Sequence, residues 1–149
     1  MAVIRLTKEF KFEMAHALAG YSGPCRHIHG HSYELHVTVA GSPITDAASP
    51  FCGMVMDFRQ LKEIVRQQII GEFDHALVLN KATAPLQIAE LGEFVGRLIL
   101  TDYQPTSENL LADFALRLKK ELPAGVKLHS LMLRETVTSF AEWHATDNE

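Results

Sequence analysis

The chain has 149 residues, with 14 Lys and Arg against 18 Asp and Glu and a formal net charge of −4. That is the length of one ordinary domain, able to bury a core without disulfide or metal staples, so residues 1–149 are read as a single domain. The acidic balance argues against a nucleic-acid partner, which calls for a basic surface. No window approaches the apolar run of a membrane span, and Met1 to Phe12 lacks the continuous apolar stretch of a signal peptide. With only two cysteines, Cys25 and Cys52, no disulfide scaffold is indicated. The expected setting is a reducing cytoplasm with both residues as thiols.

The first segment alternates as a strand does. Ile4, Leu6, Phe10, Phe12 and Met14 share one parity, and Arg5, Thr7, Glu9, Lys11 and Glu13 the other. Lys8 interrupts the apolar face, which predicts a bulge there, and His16 continues that face past the strand. A Gly, Ser and Pro-rich loop follows over Ala19 to Arg26. A second strand is predicted over Ser32 to Ala40, with Tyr33, Leu35, Val37 and Val39 on one face, and His29 and His31 extend that face backwards. Gly41 to Pro50 reads as a turn and loop. A helix is predicted over Asp57 to Ile70, capped by Asp57 with Gln60 three residues on, its stripe being Phe58, Leu61, Ile64, Val65 and Ile69. Ile88 to Arg97 reads as a short helix and Leu98 to Thr101 as a short strand. A second main helix is predicted over Ser107 to Leu122, with Thr106 or Ser107 as cap and Pro123 past its end. Strands are predicted over Val126 to Arg134 and Ser139 to His144. The expected fold class is α+β, a four-stranded antiparallel sheet with two main helices on one face in the order ββααββ. Such a sheet leaves two edges, which oligomerisation would cover.

The chemistry concentrates in His16 and the run Cys25-Arg26-His27-Ile28-His29-Gly30-His31. Residues two apart in an extended segment point to one side, so His29 and His31 present two imidazoles together. A hairpin would bring His16, at the end of the preceding strand and on the same parity, beside them. Three nitrogen ligands with one open position is the pattern of a catalytic zinc site. His27, His36, His129 and His144 are left as non-ligands. Cys25, next to Arg26 and four residues before His29, has two readings. It is either a fourth ligand closing a structural, non-catalytic zinc site, or a base beside an open one. Cys52 is read as a small, partly buried apolar residue. Asp74 and His75 are a carboxylate and imidazole in sequence, a pairing used in acid–base catalysis, although taken alone they read first as helix-end polarity. Glu135, after Arg134 at the end of an apolar strand, reads as a grip on a donor-rich ring or as a surface ion pair. Thr106, Ser107 and Glu108 read as a helix N-terminus, which can also bind a polar ligand.

Taken together, six ordered motifs resemble the 6-pyruvoyltetrahydropterin synthase family. They are Phe12-Glu13-Met14-Ala15-His16; Cys25-x3-His29-Gly30-His31; Gly53-Met54-Val55-Met56-Asp57-Phe58; Phe73-Asp74-His75 with Leu79-Asn80; Pro105-Thr106-Ser107-Glu108-Asn109; and Arg134-Glu135-Thr136. The resemblance covers most of the chain. It implies the tunnelling fold, or T-fold, assembled as a trimer or hexamer with active sites between subunits. It implies zinc on His16, His29 and His31, Cys25 as a catalytic base, Asp74 and His75 as a proton relay, and Glu135 as pterin anchor assisted by Thr106 and Ser107. The three-residue gap between Cys25 and His29 looks like the bacterial branch, which acts in queuosine biosynthesis. That branch converts 7,8-dihydroneopterin triphosphate to 6-carboxy-5,6,7,8-tetrahydropterin, releasing triphosphate and acetaldehyde. The sister reaction, elimination of triphosphate to 6-pyruvoyltetrahydropterin, is the alternative. Three departures stand out: Ala17 where Arg is frequent, Ala76-Leu77-Val78 where the family is often more polar, and a long segment from Lys81 to Gln104.

Overall fold

The computed structural model describes residues 1–84 and 86–149. Two long strands dominate, β1 (Ile4–His16) and β2 (His29–Gly41), joined by a loop carrying a 3₁₀ turn at Pro24–Arg26. They pair antiparallel without interruption from Ile4 opposite Gly41 to His16 opposite His29. The bulge expected at Lys8 is therefore absent. Lys8 stays in register because its long stem reaches out of the apolar face, placing the ammonium 6.0 Å from the centre of the Phe58 ring.

Helix α1 (Phe58–Val65) is capped by Asp57, whose carboxylate accepts the Arg59 N–H at 2.7 Å. The Arg59 side chain, rather than Gln60, folds back onto Asp57. Leu61, Val65 and Ile69 are fully buried as the stripe requires, but Phe58 is exposed. The helix then widens into one π turn over Arg66–Ile70 and ends in a last turn, α2 (Gly71–Phe73). A Cβ on Gly71 would lie 2.9 Å from the Arg66 carbonyl oxygen, so the wide turn requires glycine there. Strand β3 (Ala76–Asn80) follows, then a 3₁₀ segment at Leu86–Leu91, β4 (Leu98–Thr101), helix α3 (Ser107–Lys119), and the hairpin β5 (Val126–Thr136) and β6 (Ser139–His144).

The sheet corrects the four-stranded antiparallel expectation. It has six strands in the order β4-β3-β1-β2-β5-β6, with β3 parallel to both β1 and β4. The missed strand, Ala76-Leu77-Val78-Leu79, is buried on both faces and so lacks the alternation by which a half-exposed strand is recognised. Residues 88–97, expected as a helix, are instead the end of the 3₁₀ segment followed by turns. No helix among the described residues is long and apolar enough to cross a membrane.

Both main helices lie on one face, over a core built from Phe12, Tyr33, Leu35, Leu131 and Leu133 of the sheet and Leu61, Ile69, Leu110 and Phe114 of the helices. A smaller cluster, Leu77, Leu79 and Ile88, lies on the other face. Phe114 sits at the centre of the main core, with its ring 5.0 Å from Phe73 and 6.5 Å from Phe12. Phe114→Ala is expected to destabilise the fold by about 3–5 kcal/mol, read as a lowered denaturant midpoint with an unchanged slope.

Candidate metal centre and active site

The ends of β1 and β2 meet where His16 lies opposite His29 and Met14 opposite His31. In this register His16, His29 and His31 share the face of Phe12 and Tyr33, looking toward the helices. Their three ligand-capable atoms all lie within 4.8 Å of one another. His16 Nδ1–H donates to the Pro105 carbonyl at 2.7 Å, and His29 Nδ1–H donates to the His27 carbonyl at 2.7 Å. A carbonyl only accepts, so both Nδ1 atoms carry the proton and both Nε2 atoms are bare lone pairs. Those two Nε2 atoms are 3.2 Å apart. His31 Nε2 is buried without a hydrogen-bond partner; Glu135 Oε1, at 3.5 Å, is in electrostatic reach only.

Two bare imidazole nitrogens at that distance, with a third orphaned beside them, repel unless a cation lies between. The donor set fits a metal ion. The carbonyl bonds to the outer ring nitrogens are the usual device for aiming such ligands. Burial, the largest cause, holds His16 below its ordinary value, reinforced by His29 and His31 and opposed by the Pro105 carbonyl and Glu135. Burial likewise lowers His31. Both are therefore neutral near pH 7, the form that binds metal, and the contact from His31 to Glu135 is not a charged pair.

Glu135 reaches the centre because β5 is irregular at that point. Arg134 pairs with Phe140 and Thr136 with Ser139, leaving Glu135 as the extra residue of a bulge. Its carboxylate accepts the Ser107 hydroxyl at 2.7 Å. Thr106 caps α3, its side-chain oxygen accepting the Asn109 N–H. A cavity of 370 Å³ opens beside them, bounded by Leu18, Tyr21, Thr106, Ser107, Glu135 and Phe140. Cys25 is half-buried in the loop above, a free thiol that is not among the clustered ligand atoms. Cys52 is exposed, contrary to expectation, because its loop stands off the core.

Asp74 and His75 do not join this group. They precede β3, whose register pairs Ala76 with Met14 and Val78 with His16. His75 instead borders a second cavity, of 460 Å³, with Glu13, Ala15 and Ser32 of the parity opposite to the triad, and with Met14 and His31 of the triad's own parity. Asp74 and His75 are adjacent, with His75 Nε2 3.8 Å from Asp74 Oδ1, and the His75 ring is exposed.

Residues 5–146 match the sequence model of a family described as 6-pyruvoyl tetrahydropterin synthase. The chain belongs to that family. It is 34% identical over 143 residues to the 6-carboxy-5,6,7,8-tetrahydropterin synthase of Haemophilus influenzae, covering 95% of this chain and 99% of that one. To the protein of the same name from Synechocystis it is 36% identical over 137 residues, 91% and 89% of the two chains. The fold is that of an uncharacterised Wolinella succinogenes protein, with a TM-score of 0.79 at 21% identity over 97% of this chain and 99% of the other. It is also that of the Caenorhabditis elegans 6-pyruvoyl tetrahydropterin synthase, with a TM-score of 0.67 at 22% identity over 97% of each.

Within this family member, residue-by-residue reading missed Pro105, His27 and Tyr33 as parts of the centre. Tyr33 had a signal, two residues past His31 on the same parity. Its hydroxyl is buried and unpartnered, and burial, with Glu135 and Cys25 acting in the same direction, keeps it un-ionised. The two carbonyls had none, since any residue offers one.

His16→Ala is expected to abolish stoichiometric metal binding while leaving the protein folded, as read by elemental analysis and thermal melting of the purified protein. In the metal-free protein, folded-state values below 6.5 mean that the unfolded chain holds more protons between the two values. Metal-free stability is therefore expected to be complete above about pH 6.5 and to fall as pH drops through the lowered folded-state value. Thermal melts across pH 5 to 7.5 read this, and in His16→Ala the slope should shrink.

Proposed function

We propose that this protein converts 7,8-dihydroneopterin triphosphate and water to 6-carboxy-5,6,7,8-tetrahydropterin, releasing triphosphate and acetaldehyde, in the cytoplasm as a step of queuosine biosynthesis. The observation that carries the reading is the clustering of three imidazoles beside a bulge-presented carboxylate. The identity to two relatives named for that product supports it. The metal we assign is zinc, which His16, His29 and His31 would hold, three imidazole nitrogens being the donor set of a catalytic zinc site with an open position. When bound, it supplies Lewis-acid polarisation of the side-chain oxygens of the substrate.

The chain supplies everything else. Glu135, fixed by Ser107, accepts from the donor edge of the pterin, with Thr106 and Ser107 completing the anchor at the start of α3. Cys25, held on the 3₁₀ turn by the bond from Leu18 N–H to its carbonyl, removes a proton from the substrate side chain. His75, oriented by Asp74, returns or relays one. Since Asp74 and His75 stand outside the ligand cluster of the triad, we assign them to the site of a neighbouring copy, in a trimer or hexamer whose active sites lie between subunits.

Incubation with 7,8-dihydroneopterin triphosphate should yield acetaldehyde and the 6-carboxy product. A 6-pyruvoyl product without acetaldehyde would favour the sister reaction. Cys25→Ala should keep zinc and the melting temperature and lose about 10²- to 10⁴-fold in turnover. Loss of zinc in that variant would make the thiol a ligand. Mixing Cys25→Ala with His75→Ala subunits should restore part of the activity that each variant alone has lost, and a mixture no more active than its parts would refute shared sites.

A further inference from the structure

The αL backbone of His75 is the one positive φ at a non-glycine among the described residues, at 60°. That conformation is strained for an L-residue and persists only where the surroundings impose it. Side-chain packing does not impose it here, because the ring is 79% exposed and its neighbour Asp74 Oδ1 is 3.8 Å away. The constraint is in the backbone. On one side, His75 N–H donates to the Glu13 carbonyl at 2.6 Å, and Asp74 Oδ1 accepts the Glu13 N–H at 2.9 Å. On the other side stands Arg97. A single guanidinium nitrogen, Nη1, donates to the carbonyls of Gly71 at 2.5 Å, Glu72 at 3.0 Å and Asp74 at 3.1 Å.

These are carbonyls at a helix C-terminus, where intrahelical partners run out and partial negative charge accumulates. Helices commonly resolve this with a glycine in the αL region just past the end. Here the αL residue is the imidazole itself, and an arginine from a distant segment caps the carbonyls. The backbone of Arg97 is also tied to the far side of the reversal, since its carbonyl accepts the Leu77 N–H at 2.9 Å. One residue thus brackets Asp74 to Leu77 from both ends. This also gives the long stretch after Lys81 a task, because it delivers Arg97 to this point.

We propose that Arg97 is a positioning residue for His75, holding the reversal so that the imidazole is presented in one direction. The catalytic consequence rests on the assignment of His75 to the proton relay. The backbone consequence does not. Arg97→Ala is expected to lower kcat on the order of 10²-fold, as for a displaced catalytic group, with KM for the pterin unchanged. Arg97→Lys offers three N–H donors on one nitrogen, where Nη1 has two, and should recover part of that loss. In a His75→Ala background, Arg97→Ala should cost nothing further, because a group acting through an imidazole has nothing left to position. An equal loss in both backgrounds, or a rise in KM with kcat unchanged, would overturn the proposal. Independently of turnover, amide hydrogen exchange on the intact oligomer should show the His75 N–H losing protection in Arg97→Ala and regaining it in Arg97→Lys. Unchanged protection in the alanine variant refutes the backbone role. If the wild-type protein fails to turn over the pterin triphosphate, the assigned function falls, while the exchange result still decides the role of Arg97.

Discussion

The ladder between β1 and β2 is the constraint on which the metal centre depends. Thirteen successive pairs hold His16 opposite His29 without a bulge. Strand side chains alternate with a period of two, so a slip of one residue would turn His29 and His31 to the opposite face while His16 stayed. Register is enforced by what lies further along the same face. Phe12 stacks on Tyr33 with ring centres 5.2 Å apart, and Leu35, Val37 and Val39 are fully buried. The hydrophobic core therefore sets the coordination geometry, and the histidines occupy the positions that the core leaves at its open end.

That arrangement is electrostatically costly without a cation. Burial favours the neutral form of His16 and His31, yet the Nε2 atoms of His16 and His29 face one another at 3.2 Å, and His31 Nε2 has no hydrogen-bond partner. The backbone carbonyls of Pro105 and His27 make the conflict permanent by holding the protons on the outer nitrogens. A site so built gains from a divalent ion what it would otherwise lose in lone-pair repulsion. Glu135 adds negative charge at the rim, and its bond to Ser107 couples the centre to the first turn of α3.

The helix that precedes Asp74 and His75 shows a second division of labour. One π turn, permitted by Gly71, shifts the phase of the last helical turn, and Arg97 closes its end. Further out, Arg117 joins Asp113 to Glu72 beside the Tyr103 hydroxyl, tying α3 to the same turn. The segment carrying the pair is thus anchored to α3, to β1 and to the start of β4, although the imidazole itself is free in solvent.

The sequence by itself determined the long hairpin, both main helices and the last two strands, because each has one wet face and one dry face and so prints its period in the residue order. It also determined the imidazole triad, since parity along two strands is a local property, and the order of six motifs was enough to identify the family. The remainder follows from how the elements pack. Strand β3 left no alternation because both of its faces are covered, one by the helices and one by the small cluster around Leu77 and Ile88. The separation of His75 from the triad follows from a parallel pairing that no local pattern encodes. The role of Arg97 depends on three carbonyls more than twenty residues away, and a carbonyl is the one group that every residue carries. Local periodicity records which side of an element is dry. Which elements meet, and which backbone atoms are left for a side chain to satisfy, is settled only when the whole chain has packed.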